Sequence, residues 1–239
     1  WYSLTTHSHP GDVTANVRKI LSEYLACGID PEKAAIYVQS DVKEVLELYL
    51  YLNMNAYLGE LQRVTSFKEK ARKQPENVNA ADILIPRADK VPVGKDQEQN
   101  MEMARKFARR FNTIYGVEFF PEPQSYSFGG DAIKVPGLDG SGKMGKSEGN
   151  AIYLIDDAAT IRKKVMKAVT DSGPTQHNSE KPEAIANLFT MLKIVSSADT
   201  YDYFNEKYNA CEIRYGDLKK QLAEDIVNFT SPIRERILG

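Results

Sequence analysis

The chain has 239 residues, 42% apolar and 27% charged, with Lys+Arg 31 against Asp+Glu 33 for a net charge of -2. This composition excludes a mainly disordered chain and gives enough length for one large domain or a domain with a lobe. Near-balanced charge also excludes a protein-wide field for nucleic acid or anionic lipid, so any RNA contact has to come from local patches.

The opening stretch WYSLTTHSHPGD lacks the basic and apolar regions of a signal peptide, and no window reaches ~18 uninterrupted apolar residues. It begins on aromatic residues without a Met, as though a preceding segment were missing. His7 and His9 invite comparison with a metal pair. With only His177 besides them and no cysteine nearby, a capping or surface role is expected instead.

Asp12 stands where a helix cap is needed, and Val13, Val17, Ile20, Leu21, Tyr24 and Leu25 repeat at helical spacing until Gly28 stops the helix. Cys27 and Cys211 are the only cysteines and lie far apart, giving neither a disulfide framework nor a metal-ligand spacing. A reducing, cytoplasmic setting is the simplest expectation. Ala34-Ala35-Ile36-Tyr37-Val38 reads as a short buried strand and Val42 to Leu58 as a longer helix, an order that predicts an α/β layer with a parallel sheet. RVTSFKEKARK, Arg63 to Lys73, is basic; a solvated helix face is expected ahead of an RNA or partner contact.

Ile83-Leu84-Ile85 and Val91-Pro92-Val93 are strand-like runs that bracket a short loop. Gly94 then leads into a predicted helix from Lys95 to Tyr115, with Ala104, Phe107, Ala108, Phe111 and Ile114 on one face and Gly116 at its end. A strand, a glycine and a helix N-terminus can face a polar ligand at the carboxyl end of a sheet, although an ordinary βα unit has the same spacing. Pro121 to Gly149 is rich in glycine and proline, which predicts a long loop region with at most short β pieces. From Asp157 the pattern turns helical, first over Ile161, Val165, Met166 and Val169, then near Ala184 to Val195, Thr200 to Tyr208 and Asp217 to Phe229. The expected division is a nucleotide-binding domain over 1–156 and a helical lobe over 157–239.

Within the long loop, GSGKMGKS, Gly140 to Ser147, spells the phosphate-cradling loop of P-loop nucleotidases. That loop must follow a buried strand and open a helix so that its N–H groups converge on phosphate. Here Pro136 and Gly137 occupy the strand position, and Glu148-Gly149-Asn150 interrupts a helix before the strand-like run Ala151 to Ile155. The context fails on both sides. What remains is Lys143-Met144-Gly145-Lys146-Ser147, two ammonium groups three residues apart on a glycine-flanked loop. Such charge suits a polyphosphate whose negative charge shifts onto departing pyrophosphate, where a preorganised donor is commonly worth ~2.7–4 kcal/mol. A solvent-exposed basic turn would have the same five letters.

KMGKS resembles the KMSKS signature of class I aminoacyl-tRNA synthetases, with Gly145 in place of the first Ser. YLACGIDPEKAAIYVQSDV (Tyr24 to Val42), GELQRVTSFKEKA (Gly59 to Ala71), AADIL (Ala80 to Leu84), VPVGKDQEQ (Val91 to Gln99), AVTDSG (Ala168 to Gly173) and YGDLKKQLAE (Tyr215 to Glu224) are similar to bacterial tryptophanyl-tRNA synthetases. These stretches run through nearly the whole chain. The resemblance implies a Rossmann-like parallel sheet with a helical anticodon-binding C-terminal lobe, and attachment of L-tryptophan to tRNA(Trp) with Mg-ATP through a tryptophanyl-adenylate. It implies a cytoplasmic homodimer without a membrane segment or a permanently bound metal. The Tyr-rich run Leu46 to Leu58, with GELQRVTSF after it, is the expected interface.

Residue by residue, the resemblance makes Asp82 the acceptor of the substrate's indole N–H, a contact that discriminates far better than size alone. It places Val91 and Val93 along the indole pocket and Gln97 at the amino acid's polar end. Gly94, Lys95 and Asp96 match the element that touches the ATP ribose, and Val135 the apolar residue against adenine. Lys143, Met144, Gly145, Lys146 and Ser147 match the ATP loop, with Lys143 and Lys146 acting catalytically on the phosphates. Three departures stand out. The HIGH motif appears nowhere, and an apolar segment that the family carries is absent between Asn79 and Ala80. Gly145 for Ser loses one hydroxyl donor and adds flexibility. The alternatives left open are the sister tyrosyl enzyme, which shares the fold, and a catalytically inactive RNA-binding paralogue, suggested by the missing HIGH element.

Overall fold

The computed structural model describes residues 10–55, 77–94, 97–126, 134–145 and 148–239. Helix α1 spans Pro10–Ala26, and Gly28 follows at φ +104°, a left-handed conformation that stops the helix. The apolar stripe behind the sequence expectation is exposed: Ile20 40%, Tyr24 50% and Leu25 41%. Helical spacing builds an amphipathic face without supplying the surface that covers it.

The chain forms two compact units, Trp1–Val17 with Ala35–Ala132, and Arg18–Ala34 with Ile133–Gly239. In the first, α2 (Glu44–Met54), α3 (Asn77–Leu84) and α4 (Glu98–Tyr115) surround one apolar cluster. Val45, Leu48 and Leu52 enter it from α2, Ala80, Ala81 and Leu84 from α3, and Ala104, Phe107 and Ala108 from α4. Each set follows the three-to-four-residue period that places side chains on one helical face. Strands β1 (Lys90–Pro92) and β2 (Gln124–Tyr126) pair in parallel, with Val91 opposite Ser125. Helix α4 lies between them in sequence, so the unit contains a β-α-β crossover, as the parallel-sheet expectation requires. Gly116 ends α4 at φ +63°. Asn112 then turns the chain back: its Oδ1 accepts the Phe119 and Phe120 N–H groups at 3.0 and 3.1 Å, and its Nδ2 donates to the Phe120 carbonyl at 2.8 Å.

Three predicted strands take other forms. Residues 34–38 run through a turn and irregular backbone into a 3₁₀ turn, Gln39–Asp41. Tyr37 is 53% exposed, and among the described residues no strand pairs with this stretch. Ile83-Leu84-Ile85 finishes α3, with the Ile85 N–H donating to Ala81 O at 2.9 Å. A three-residue apolar run has too little length to separate a strand from a buried helical turn. Ala151 to Ile155 is irregular and ends in a turn in which the Tyr153 N–H donates to Asp156 Oδ2 and the Asp156 N–H to Tyr153 O. The predicted helix Val42 to Leu58 is observed as Glu44–Met54, and the rest of that prediction beyond Asn55 lies outside the described residues. His7, His9 and the basic stretch Arg63 to Lys73 lie outside them as well.

In the second unit, α5 (Ala158–Met166), α6 (Glu183–Val195), α7 (Ala198–Asn209) and α8 (Tyr215–Leu238) pack around Ile161, Val165, Leu188, Leu192, Tyr208, Leu218 and Leu222. Asp157 caps α5, accepting the Thr160 N–H at 2.7 Å. Helix α8 packs on α5 and α6, and α6 on α7. Lys219 is buried, with its ammonium donating to Ala168 O at 2.7 Å and Thr170 Oγ1 at 3.2 Å. Leu138, from the glycine-rich loop, joins this helical core, and Met144 packs against it. No helix among the described residues is long and apolar enough to cross a membrane.

Candidate active site

In the first unit, Asp82 sits in the last turn of α3, half-buried, with Gln39 of the 3₁₀ turn against it. Gln39 Nε2 lies 2.8 and 2.7 Å from the two carboxylate oxygens. Burial pushes the Asp82 carboxyl above its ordinary value, and the Gln39 hydrogen bond pulls it back. A carboxylate has about four acceptor positions, so Asp82 can still take a further N–H. The only signal for Gln39 in the sequence is its place inside the YLACGIDPEKAAIYVQSDV resemblance.

Val91 and Val93 are half-buried on and just after β1. The Val93 N–H donates to Tyr126 O at 3.3 Å, which carries the pairing one residue beyond the strand. Gly94 and Gln97 are exposed, and the Gln97 N–H donates to Gly94 O at 3.0 Å, closing a turn into α4. Gln97 Oε1 accepts the Asn100 amide at 2.7 Å. The strand, glycine and helix start stand in the order that suits a polar ligand. Lys95 and Asp96 lie outside the described residues. A groove of about 470 Å³ in this unit is lined by Leu48, Tyr51, Arg87, Phe111 and Phe119 among others. None of the predicted tryptophan or ATP residues lines it.

In the second unit, the residues before and after Lys143 form a closed loop. The Met144 N–H donates to Val135 O at 2.9 Å, the Gly137 N–H to Ser141 O at 2.9 Å and the Leu138 N–H to Asn150 O at 3.2 Å. Val135, 41% exposed, offers apolar surface beside that hydrogen bond. Gly140 has φ +85°, and a Cβ there would stand 3.2 Å from Ala184 Cβ, so conformation and space both call for glycine. Asn187 of α6 donates to the Gly140 and Ser141 carbonyls at 3.0 and 3.1 Å. Lys143 is exposed while its neighbour Met144 is half-buried on the helical core, so the backbone is anchored and the ammonium faces water.

Gly145 is described; Lys146 and Ser147 lie outside the described residues. After them, the Glu148 N–H donates to Gly145 O at 3.2 Å and Gly149 takes φ +68°. No α-helix starts in the described residues between Glu148 and Asp157, which removes the element a P-loop requires. Among the described residues there is no group of three or more His, Cys, Asp or Glu that could hold a metal ion.

The sequence profile of the family described as tRNA synthetases class I (W and Y) matches residues 3–231. The chain is 76% identical over 248 positions to a tryptophan–tRNA ligase of Porphyromonas gingivalis, covering 100% of the chain and 76% of that protein. A Helicobacter pylori tryptophan–tRNA ligase is 36% identical over 250 positions, covering 98% and 75%. Among solved structures, tryptophanyl-tRNA synthetase from Campylobacter jejuni, complexed with ADP and tryptophan, aligns with TM-score 0.82 at 31% identity, covering 99% of this chain and 75% of that one. With a parallel strand pair crossed by a helix, a helical second unit and a glycine-flanked lysine loop that is no P-loop, the chain belongs to the class I tRNA synthetases of the W and Y type.

Proposed function

We propose that the protein attaches L-tryptophan to tRNA(Trp) at the expense of ATP. The likeness to the Porphyromonas gingivalis tryptophan–tRNA ligase, 76% identity over the full chain, is the observation that carries this conclusion. In the first step a carboxylate oxygen of tryptophan attacks the α-phosphorus of Mg-ATP, and the bond to the bridging oxygen breaks. Tryptophanyl-adenylate forms and pyrophosphate leaves with the electron pair. In the second step a ribose hydroxyl at the tRNA 3′ end attacks the acyl carbon, releasing AMP. Neither step requires a side-chain nucleophile, so positioning and charge stabilisation supply the rate.

Within this function Asp82 accepts the indole N–H, Val91 and Val93 line the ring, and Gln97 holds the amino acid's polar end. Gly94, Lys95 and Asp96 meet the ribose, with Asp96 the hydroxyl acceptor, and Val135 packs on adenine. Lys143 and Lys146 draw the phosphate charge, supported by Met144, Gly145 and Ser147. The exposure of Lys143 and the anchoring of its backbone support that role. Residues 1–156 form the catalytic domain and 157–239 the anticodon-binding lobe. Two copies associate through α2, where Leu50, Tyr51 and Met54 are 59%, 57% and 74% exposed, and the protein works in the cytoplasm. The solved tyrosyl-tRNA synthetase of Aeropyrum pernix, at 20% identity and TM-score 0.67, is alike in fold.

The test is exchange of labelled pyrophosphate into ATP with each amino acid in turn. Exchange driven by tryptophan supports the assignment; exchange driven by tyrosine alone overturns it.

A further inference from the structure

Asn150 is 6% exposed at the foot of the loop that carries Lys143. Its Nδ2 lies 3.0 Å from each of three acceptors, Asp139 Oδ1, Ser141 Oγ and the Lys143 carbonyl. Its Oδ1 accepts the Gly145 N–H at 3.0 Å. With acceptors on one side and a donor on the other, only one orientation of the amide satisfies the cluster. Ser141 Oγ donates to Asp139 Oδ1 at 2.7 Å, which keeps that carboxylate in place beside the amide.

The Lys143 carbonyl and the Gly145 N–H belong to the two peptide units that flank Met144. One side chain therefore holds both. The first of these units is held at its other end too, by the bond from the Met144 N–H to Val135 O. Gly137 leaves the room: a Cβ there would stand 2.5 Å from Asp139 Oδ1 and 2.7 Å from Ser141 Oγ, and would run into Asn150 Nδ2. A buried amide with both its ends satisfied fixes geometry, because moving the backbone away would strand a donor and an acceptor out of water.

We infer that Asn150 is a positioning residue for the ATP loop, setting through these two peptide units the direction in which the Lys143 side chain leaves the backbone. The inference rests on Lys143 to Ser147 acting on ATP, as proposed above. Aspartate could keep the acceptor toward Gly145 but would lose the donor and set a second carboxylate against Asp139. Alanine would lose both contacts.

The experiment uses the full chain carrying Lys143→Ala, Asn150→Ala, Asn150→Asp and the Lys143→Ala/Asn150→Ala pair. Tryptophan-dependent pyrophosphate exchange is measured at saturating tryptophan with ATP varied, and tryptophan affinity by equilibrium dialysis. Asn150→Ala is expected to slow exchange by about tenfold or more, since a misplaced group far smaller in cost than a lost one still reduces rate. Tryptophan affinity is expected to stay within about twofold, and the double variant within about twofold of the slower single variant, because both changes remove the same aimed charge. Asn150→Asp, which keeps the shape of the side chain and is the variant of choice should alanine not fold, is expected to be slowed as well. Exchange by Asn150→Asp at the parental rate, or losses in the double variant that multiply, would overturn the inference. Parental exchange in Lys143→Ala would instead overturn the ATP-loop assignment and this inference with it.

Discussion

Gln39 Nε2 holds both carboxylate oxygens of Asp82, at 2.8 and 2.7 Å, across 43 residues of sequence. The carboxylate is half-buried, and a neutral amide supports it where an ion pair would have bound its charge more tightly. A site that must accept an N–H from substrate benefits from an acceptor that is held in place and still free on its other lone pairs. Replacing Gln39 with methionine keeps the length and removes the donor. Burial then acts on Asp82 unopposed by that bond, so its pKa is expected to rise further. An NMR titration of the Asp82 carboxyl carbon in parent and Gln39→Met checks the direction.

The same carboxyl has a consequence for stability. Its folded pKa is raised above the ordinary 3.8 by burial, so the folded state takes up the proton more readily than the unfolded one. The stabilisation from this group is complete below about pH 3.8 and is lost as pH rises through the folded value. Asp82→Asn cannot titrate. It is expected to flatten the fall in melting temperature across that window and to weaken tryptophan binding at neutral pH, measured by thermal melts and equilibrium dialysis.

Gly137 is required for space, with φ in no special region. Gly137→Ala forces Asn150, Asp139 or Ser141 to move, a cost of about 1–3 kcal/mol on the scale of overpacked sites. Pyrophosphate exchange is expected to fall together with Asn150→Ala, while the far-UV spectrum of the helical unit is kept.

The helical unit has an ordinary core, and its stability follows from packing. Leu192 is 0% exposed in a cluster with Leu188, Phe189 and Leu222. Leu192→Ala is expected to destabilise the protein by about 2–5 kcal/mol, the range for emptying a buried leucine site. Denaturant titration followed by circular dichroism measures it.

Helices were legible where apolar residues kept a 3.6 period over three or more turns and an end signal closed them, as with Gly116 after α4. Short apolar runs were not: Ala34 to Val38, Ile83 to Ile85 and Ala151 to Ile155 have strand-like composition, but a strand exists only with a partner, and partners are a property of the whole chain. At the site, the lysine loop and Asp82 stood out by motif and resemblance. Gln39, Asn150 and Asn187 did not, because a supporting amide has no spacing rule of its own. Its role appears only when the chain brings residues such as 39 and 82, or 140 and 187, within hydrogen-bond reach.

Lys146 carries the second charge that the motif assigns to the phosphates. Lys146→Ala is expected to lower the rate of adenylate formation by about a hundredfold, the scale for losing one preorganised donor. Tryptophan affinity is expected to change by less than about twofold, because the loop acts on the transition state. Rapid-quench measurement of adenylate, beside equilibrium dialysis, separates the two.

Pyrophosphate exchange with tryptophan and with tyrosine, in the parent and in Lys143→Ala, tests the account most directly. Tryptophan-driven exchange that collapses in Lys143→Ala is the predicted result. Exchange driven by tyrosine alone, no exchange with either amino acid, or tryptophan-driven exchange that Lys143→Ala leaves unchanged would contradict it.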